Sequence, residues 1–159
     1  DIISTDYAGL RNEEVLLVGV LKGSFMFMAD LARRLTVPHR VDFIALSSYE
    51  DSAETTGAVR MIMDTRADVA RRHILIVEDI VDTGYTLKYL YRIFGARQPA
   101  SLRTAVLLSK PERREVEVDV DYLGFQIPDV WVVGYGLDYA DRFRTLPYIA
   151  MLKPSVYES

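Results

Sequence analysis

Short apolar runs alternating with helical stretches restrict most strongly the folds open to this chain. Val15–Leu21, Val41–Leu46, Ile74–Val77, Leu102–Leu108, Trp131–Val133 and Ile149–Leu152 are short and rich in β-branched or aromatic residues, so each predicts a buried strand. Phe25–Leu35 sets Met28, Leu31, Ala32 and Leu35 at helical spacing, and Leu87–Phe94 does the same with Leu87, Leu90, Tyr91 and Phe94. Strands separated by helices imply an α/β domain with a mostly parallel central sheet flanked by helices. Between a strand ending at Ser48-Tyr49 and an expected strand Val59–Met63 lies Glu50–Gly57, acidic, polar and aperiodic, which reads as a mobile loop. With no repeat, low-complexity tract or Pro/Gly/Ser linker, one domain over residues 1–159 is expected.

Bulk properties narrow the chemistry. Cysteine is absent, which removes thiol catalysis, thiolate metal sites and a disulfide framework. A net charge of −4 offers no general attraction to nucleic acid or anionic membrane, so a phosphate would have to be held locally. The apolar runs fall far short of the roughly 20 residues of a membrane span. A cytoplasmic setting is the expectation; because the sequence opens on Asp1, a trimmed terminal signal for an organelle such as the glycosome stays open.

In parallel sheets ligands gather where strands end and helices begin. The run Ile74 to Leu87 is such a junction. Asp82-Thr83-Gly84-Tyr85-Thr86 brings helix-opening N–H groups, hydroxyls and a glycine, which suit a phosphate monoester without any cationic side chain. Glu78 and Asp79 end the strand, where they can accept hydrogen bonds from vicinal hydroxyls. Simple capping by Asp82 or Thr83 accounts for one oxygen and leaves two acids unexplained. The dinucleotide pattern Gly-x-Gly-x-x-Gly at a helix start is missing, which weighs against a Rossmann-type site.

Val77-Glu78-Asp79-Ile80-Val81-Asp82-Thr83-Gly84 resembles the phosphoribosyl pyrophosphate signature of the type I phosphoribosyltransferases. Leu21-Lys22-Gly23-Ser24, Ser47-Ser48-Tyr49, the Lys110 segment, Phe125–Asp129 and Val133–Tyr139 follow in the order found in hypoxanthine-guanine phosphoribosyltransferases. The resemblance covers nearly the whole chain. Glu50–Gly57 and Pro99–Leu102 look closer to protozoan, kinetoplastid-like members than to bacterial ones.

The resemblance implies the type I phosphoribosyltransferase fold, with a small hood over the base formed mainly by residues 123–159. It implies magnesium-dependent purine salvage: transfer of 5-phosphoribosyl from phosphoribosyl pyrophosphate to N9 of hypoxanthine or guanine, giving IMP or GMP and pyrophosphate. Use of xanthine stays open, as does a non-catalytic regulator that binds the sugar phosphate. Glu78 and Asp79 would hold the ribose hydroxyls, Asp82, Thr83, Gly84, Tyr85 and Thr86 the 5′-phosphate, and Asp82 would be the general base toward the purine N7. Lys22, Gly23 and Arg144 would clamp pyrophosphate, the peptide between Leu21 and Lys22 can be cis, and Ser48 and Tyr49 would travel with the mobile loop. Lys110, Trp131, Val132 and Asp138 would bind the purine. Two Mg²⁺ ions would involve Glu78, Asp79 and Asp138. Read singly, Lys110 is as easily a solvated loop charge and Trp131 ordinary packing.

Tyr85, and Glu50 after Tyr49, depart from the commonest family pattern without removing a catalytic group. Dimers or tetramers are implied, with Tyr89 and Tyr91 possible contacts between copies. His39 and His73 lack a charged partner nearby in sequence and take no role. Arg66–Arg72 reads as a charged surface turn and Glu112–Asp119 as a solvated edge or hairpin.

Overall fold

The computed structural model describes residues 2–10, 13–48 and 59–157. In chain order these contain α1 (Ile2–Tyr7), β1 (Val15–Leu21), α2 (Phe25–Arg34), β2 (His39–Ser48), β3 (Val59–Met63), β4 (His73–Val81), α3 (Tyr85–Gly95), β5 (Ser101–Ser109), β6 (Tyr122–Gln126), β7 (Val132–Val133) and β8 (Ala150–Met151). The main sheet has the order β3-β2-β1-β4-β5-β6. Every neighbouring pair in it is parallel except β2 with β3.

Side-chain alternation along the central strands builds two cores. Leu16, Val18, Val20, Ile74 and Ile76 point toward Leu90 and Phe94 of α3. Val15, Leu17, Leu75 and Val77 point the other way, toward Tyr7 of α1 and Met28 of α2. A strand covered on both faces has no polar side, which is why β1 and β4 read as continuous apolar runs. Removing a side chain such as Phe94, which is fully buried, would cost ~3–5 kcal/mol.

The structure corrects the expectations at several points. Trp131–Val133 and Ile149–Leu152 shrink to two-residue strands, β7 and β8, which pair antiparallel in a sheet of their own. The strand β6, which no apolar run announced, lies parallel to β5 at the sheet edge with most of its side chains exposed. Glu112–Asp119 is neither edge strand nor hairpin: a 3₁₀ turn over Pro111–Arg113 leads into backbone whose Glu115 and Val116 N–H groups donate to Thr83 O at 3.0 and 3.2 Å. Val118 beyond it packs on Val81, Leu87 and Val106. Within the chain Tyr89 accepts from Met61 N at 3.2 Å and Tyr91 donates to Asp121 at 3.1 Å, bonds that leave the expected contact between copies untouched. His73, expected to be unpartnered, has Glu13 at 2.7 Å on one ring nitrogen and Ser101 Oγ at 2.7 Å on the other. Among the described residues no helix is long and apolar enough to cross a membrane.

Candidate active site

Two cavities open at the carboxyl ends of the parallel strands. One, of about 320 Å³, is lined by Glu78, Thr83, Gly84 and Thr86 among others. The second, of about 550 Å³, is lined by Lys110, Arg113, Asp129, Trp131, Val132 and Asp138 among others. Asp79, Ile80 and Asp82 line both, so the cavities adjoin along the last residues of β4 and the turn after it.

The strand β4 ends in a buried acidic pair. Glu78 is 7% exposed, and its Oε2 is buried without a hydrogen-bond partner. Burial, then the adjacent Asp79 charge, pushes the Glu78 carboxyl well above the usual range, and burial also raises Asp79. Asp79 Oδ1 accepts from Ile80 N at 2.9 Å. A cation would relieve both carboxyls, so this pair fits a metal. No three acidic or imidazole groups converge among the described residues, so the ion would share its coordination with ligand and water oxygens, as magnesium commonly does. Asp138, also expected at a metal, pairs through Oδ1 with Arg144 at 3.1 Å.

The turn opening α3 is held from behind. Gly84 caps the helix at φ 96°, a conformation natural to glycine, and a Cβ there would stand 2.9 Å from Val116 O. The first N–H groups of the helix have no intrahelical acceptor, and Thr83, Gly84 and Thr86 at this end line the smaller cavity. Arg114 braces it, donating from Nε to Asp82 O at 3.1 Å and from Nη2 to Ser109 Oγ at 2.9 Å. Arg113 Nε lies 2.8 Å from Asp82 Oδ1 and its Nη1 3.7 Å from Asp129. This contact is an ion pair without hydrogen-bond alignment, since the buried Oδ1 accepts no aligned donor. Neither arginine was singled out from sequence; the only signal was a basic pair just after Lys110.

Lys110 follows β5, its N–H donating to Val81 O at 3.0 Å. It is 8% exposed, and the nearest carboxylate oxygen, on Asp129, is 3.9 Å away. A buried ammonium so loosely paired retains donor capacity for a ligand. Trp131 meets Tyr139 edge-on at 5.4 Å and Tyr157 at 5.8 Å, and its Nε1 donates to Asp138 O at 3.3 Å. Val132, beside it in β7, is half-buried.

Lys22, Gly23 and Arg144 come together from opposite ends of the chain. The peptide between Leu21 and Lys22 is cis. A Cβ on Gly23 would stand 1.8 Å from Asp79 Oδ2, so the loop after β1 passes directly over the acidic pair. Asp141, which sequence reasoning missed, binds both cations: Lys22 Nζ at 3.1 Å and Arg144 Nε at 3.0 Å. Those two donors hold its carboxyl below the usual range. Tyr85 lies at the start of α3, its phenol raised by Glu115. Tyr49 and Glu50–Gly57 lie outside the described residues; of Ser48 only the backbone, at the end of β2, is described.

Comparison with known proteins identifies the family. Residues 1–140 match the phosphoribosyl transferase domain. Hypoxanthine phosphoribosyltransferase of Salmonella typhimurium is 54% identical over 136 residues, 86% of this chain and 76% of that protein. Hypoxanthine-guanine phosphoribosyltransferase of Bacillus subtilis is 49% identical over 144 residues, 91% of this chain and 80% of that one. Among solved structures, hypoxanthine phosphoribosyl transferase of Trypanosoma cruzi superposes with a TM-score of 0.93 at 50% identity, covering 99% of this chain and 84% of that one. The match of residues 1–140 to the domain model, with relatives near 50% identity over most of the chain and a solved structure that superposes on nearly all of it, makes the chain a member of the phosphoribosyltransferase family, in its hypoxanthine-guanine branch.

Proposed function

We propose that the protein is a purine salvage transferase that moves the 5-phosphoribosyl group of phosphoribosyl pyrophosphate to N9 of hypoxanthine or guanine, forming IMP or GMP and releasing pyrophosphate. One observation carries this: two cavities, one built for a sugar phosphate and one holding a loosely paired buried lysine, share Asp79 and Asp82 as their common wall.

The roles follow from that wall. The turn from Asp82 through Thr83, Gly84, Tyr85 and Thr86 receives the 5′-phosphate on N–H groups and hydroxyls. Glu78 and Asp79 accept from the ribose hydroxyls and, with Asp138, supply oxygens to Mg²⁺, of which we propose two ions. When bound, magnesium neutralises the charge that builds on departing pyrophosphate. Lys22, the Gly23 backbone and Arg144 hold that leaving group. Asp82 takes the N7 proton as N9 forms its bond to the anomeric carbon, a contribution of ~10²–10⁴-fold. Lys110 donates to the purine 6-oxygen and repels a 6-amino group, Val132 meets the far edge of the base through its backbone, and Trp131 stacks on it. Ser48 and Tyr49 keep water from the ribosyl cation. We read residues 1–159 as one domain with the C-terminal segment as hood, and the working protein as a homo-oligomer in the cytoplasm.

The test is direct. With phosphoribosyl pyrophosphate and magnesium, hypoxanthine and guanine should be converted, adenine should not, and Asp82→Asn should lose ~10²-fold or more. Conversion of xanthine would set the breadth of the base site. Binding of phosphoribosyl pyrophosphate with no base converted would overturn the transferase reading in favour of a regulator.

A further inference from the structure

Tyr135 lines neither reaction cavity, yet it sits at the joint between the hood and the loop after β1. Gly134, Tyr135 and Gly136 have φ of 95°, 51° and 100°. Gly134 and Leu137 exchange backbone hydrogen bonds of 2.9 and 3.1 Å, so the chain reverses through Tyr135 and Gly136 in a two-residue turn. Asparagine or glycine suits the first central position of such a turn, and a bulky aromatic there calls for a reason.

The surroundings supply one. A Cβ on Gly136 would stand 2.0 Å from Gly23 O, which puts the turn against the loop that carries Lys22. Arg144 Nη1 donates to Gly136 O at 2.8 Å, so the same turn anchors the arginine. The Tyr135 side chain leaves the turn on the other side, packs with Leu107 and Phe27, and donates its phenol to the Asp30 carboxylate on α2. Burial, then Asp30, pushes that phenol up to about 12, so it is a donor at any assay pH. The helix α2 begins directly after Gly23 and Ser24, and Ser24 Oγ is fixed to Val20 O at 2.7 Å. A tie to Asp30 therefore fixes the turn relative to Gly23. Among the described residues a second polar link across the joint, Lys22 to Asp141, is about two-thirds exposed on both sides and contributes little.

We propose that the Tyr135–Asp30 hydrogen bond is a positioning contact that holds the Gly134–Leu137 turn against the Lys22–Gly23 loop and so preassembles the pyrophosphate clamp. It rests on the reading of Lys22, Gly23 and Arg144 as that clamp. Neither residue touches substrate; both act through Gly23 and Arg144.

Tyr135→Phe keeps the ring and removes the donor. Binding of inorganic pyrophosphate with magnesium, measured by calorimetry, should weaken on the order of tenfold, with a parallel rise in KM for phosphoribosyl pyrophosphate. The kcat should stay within about twofold and the melting temperature within ~2 °C, a split that general destabilisation would not give. Asp30→Asn, which keeps an acceptor oxygen, should remain near wild type. Asp30→Ala should match Tyr135→Phe, and the double variant should be no worse than either. Unchanged pyrophosphate affinity in Tyr135→Phe, or additive losses in the double variant, would overturn the inference, as would failure of the wild type to bind magnesium pyrophosphate. A wild type that binds it but makes no nucleotide would sink the transferase reading and leave the Tyr135 comparison in force.

Discussion

Replacing Gly23 by alanine tests how the acidic pair is held. The added methyl would lie 1.8 Å from Asp79 Oδ2 and 2.6 Å from its Cγ. Ordinary contact starts near 3.4 Å, so the carboxylate or the loop must move by about 1.6 Å. The carboxylate has little room, because its Oδ1 is held by Ile80 N at 2.9 Å and Glu78 is packed alongside. Gly23 is not in the left-handed region, so alanine adds no backbone strain and the effect is steric alone. Overpacking of this kind costs ~1–3 kcal/mol of stability, which leaves a folded protein. A displacement above 1 Å at a group that orients the reacting sugar should lower kcat/KM by ~10²-fold or more. Initial rates with hypoxanthine, read beside a urea melt, would measure both. A folded Gly23→Ala protein with kcat/KM within about threefold of wild type would refute the idea that this contact sets the position of Asp79.

Lys110→Met should lower kcat/KM for hypoxanthine by ~10–10²-fold, the worth of a charge-assisted hydrogen bond, and narrow the preference over adenine; separate assays of the two bases give the ratio. Away from the site, hydrogen bonds from Arg97 hold the Asp64 carboxyl below its ordinary 3.8. A lowered folded value stabilises above the unfolded one and is lost as pH falls through the folded one. The pair is a third to a half exposed, so Asp64→Asn should cost less than about 1 kcal/mol near neutral pH, with the gap to wild type closing below pH 3.8 in urea melts.

The parts of the fold that could be read from the sequence were those with one-dimensional causes. Leu75, Val77 and their neighbours are apolar on consecutive positions because both sheet faces are covered, and that pattern survives without coordinates. The edge strand β6 has no such cause: Leu123 and Phe125 are exposed, and Gly124 is required by a contact invisible in sequence, a Cβ there standing 2.5 Å from Leu107 O. Within the site, Glu78 to Thr86 were legible because strand, acids and turn are contiguous. Arg114, Asp141 and Tyr135 were not, because each also has a partner far along the chain that joins it to the site; Arg114 and Asp82 are 32 positions apart, Lys22 and Asp141 119. A basic residue in a polar run looks solvated until folding supplies the carbonyl it braces. For the same reason His73 seemed idle, with Glu13 60 positions away.

The meeting of Gly136 with Gly23 carries a consequence for how this protein becomes active. The two residues come from opposite ends of the sequence, and between them the chain must lay down β2, β4 and β5 in parallel register, each through a crossover. Pairings of such long range close late and slowly, because the entropy of a large loop is spent before the contact forms. A chain still emerging from the ribosome can complete the Glu78–Thr86 turn long before residue 136 exists, and so could capture a sugar phosphate while it has no means of grasping the leaving group. Ligand binding would then mature in two stages during synthesis, and transfer would mark the last one.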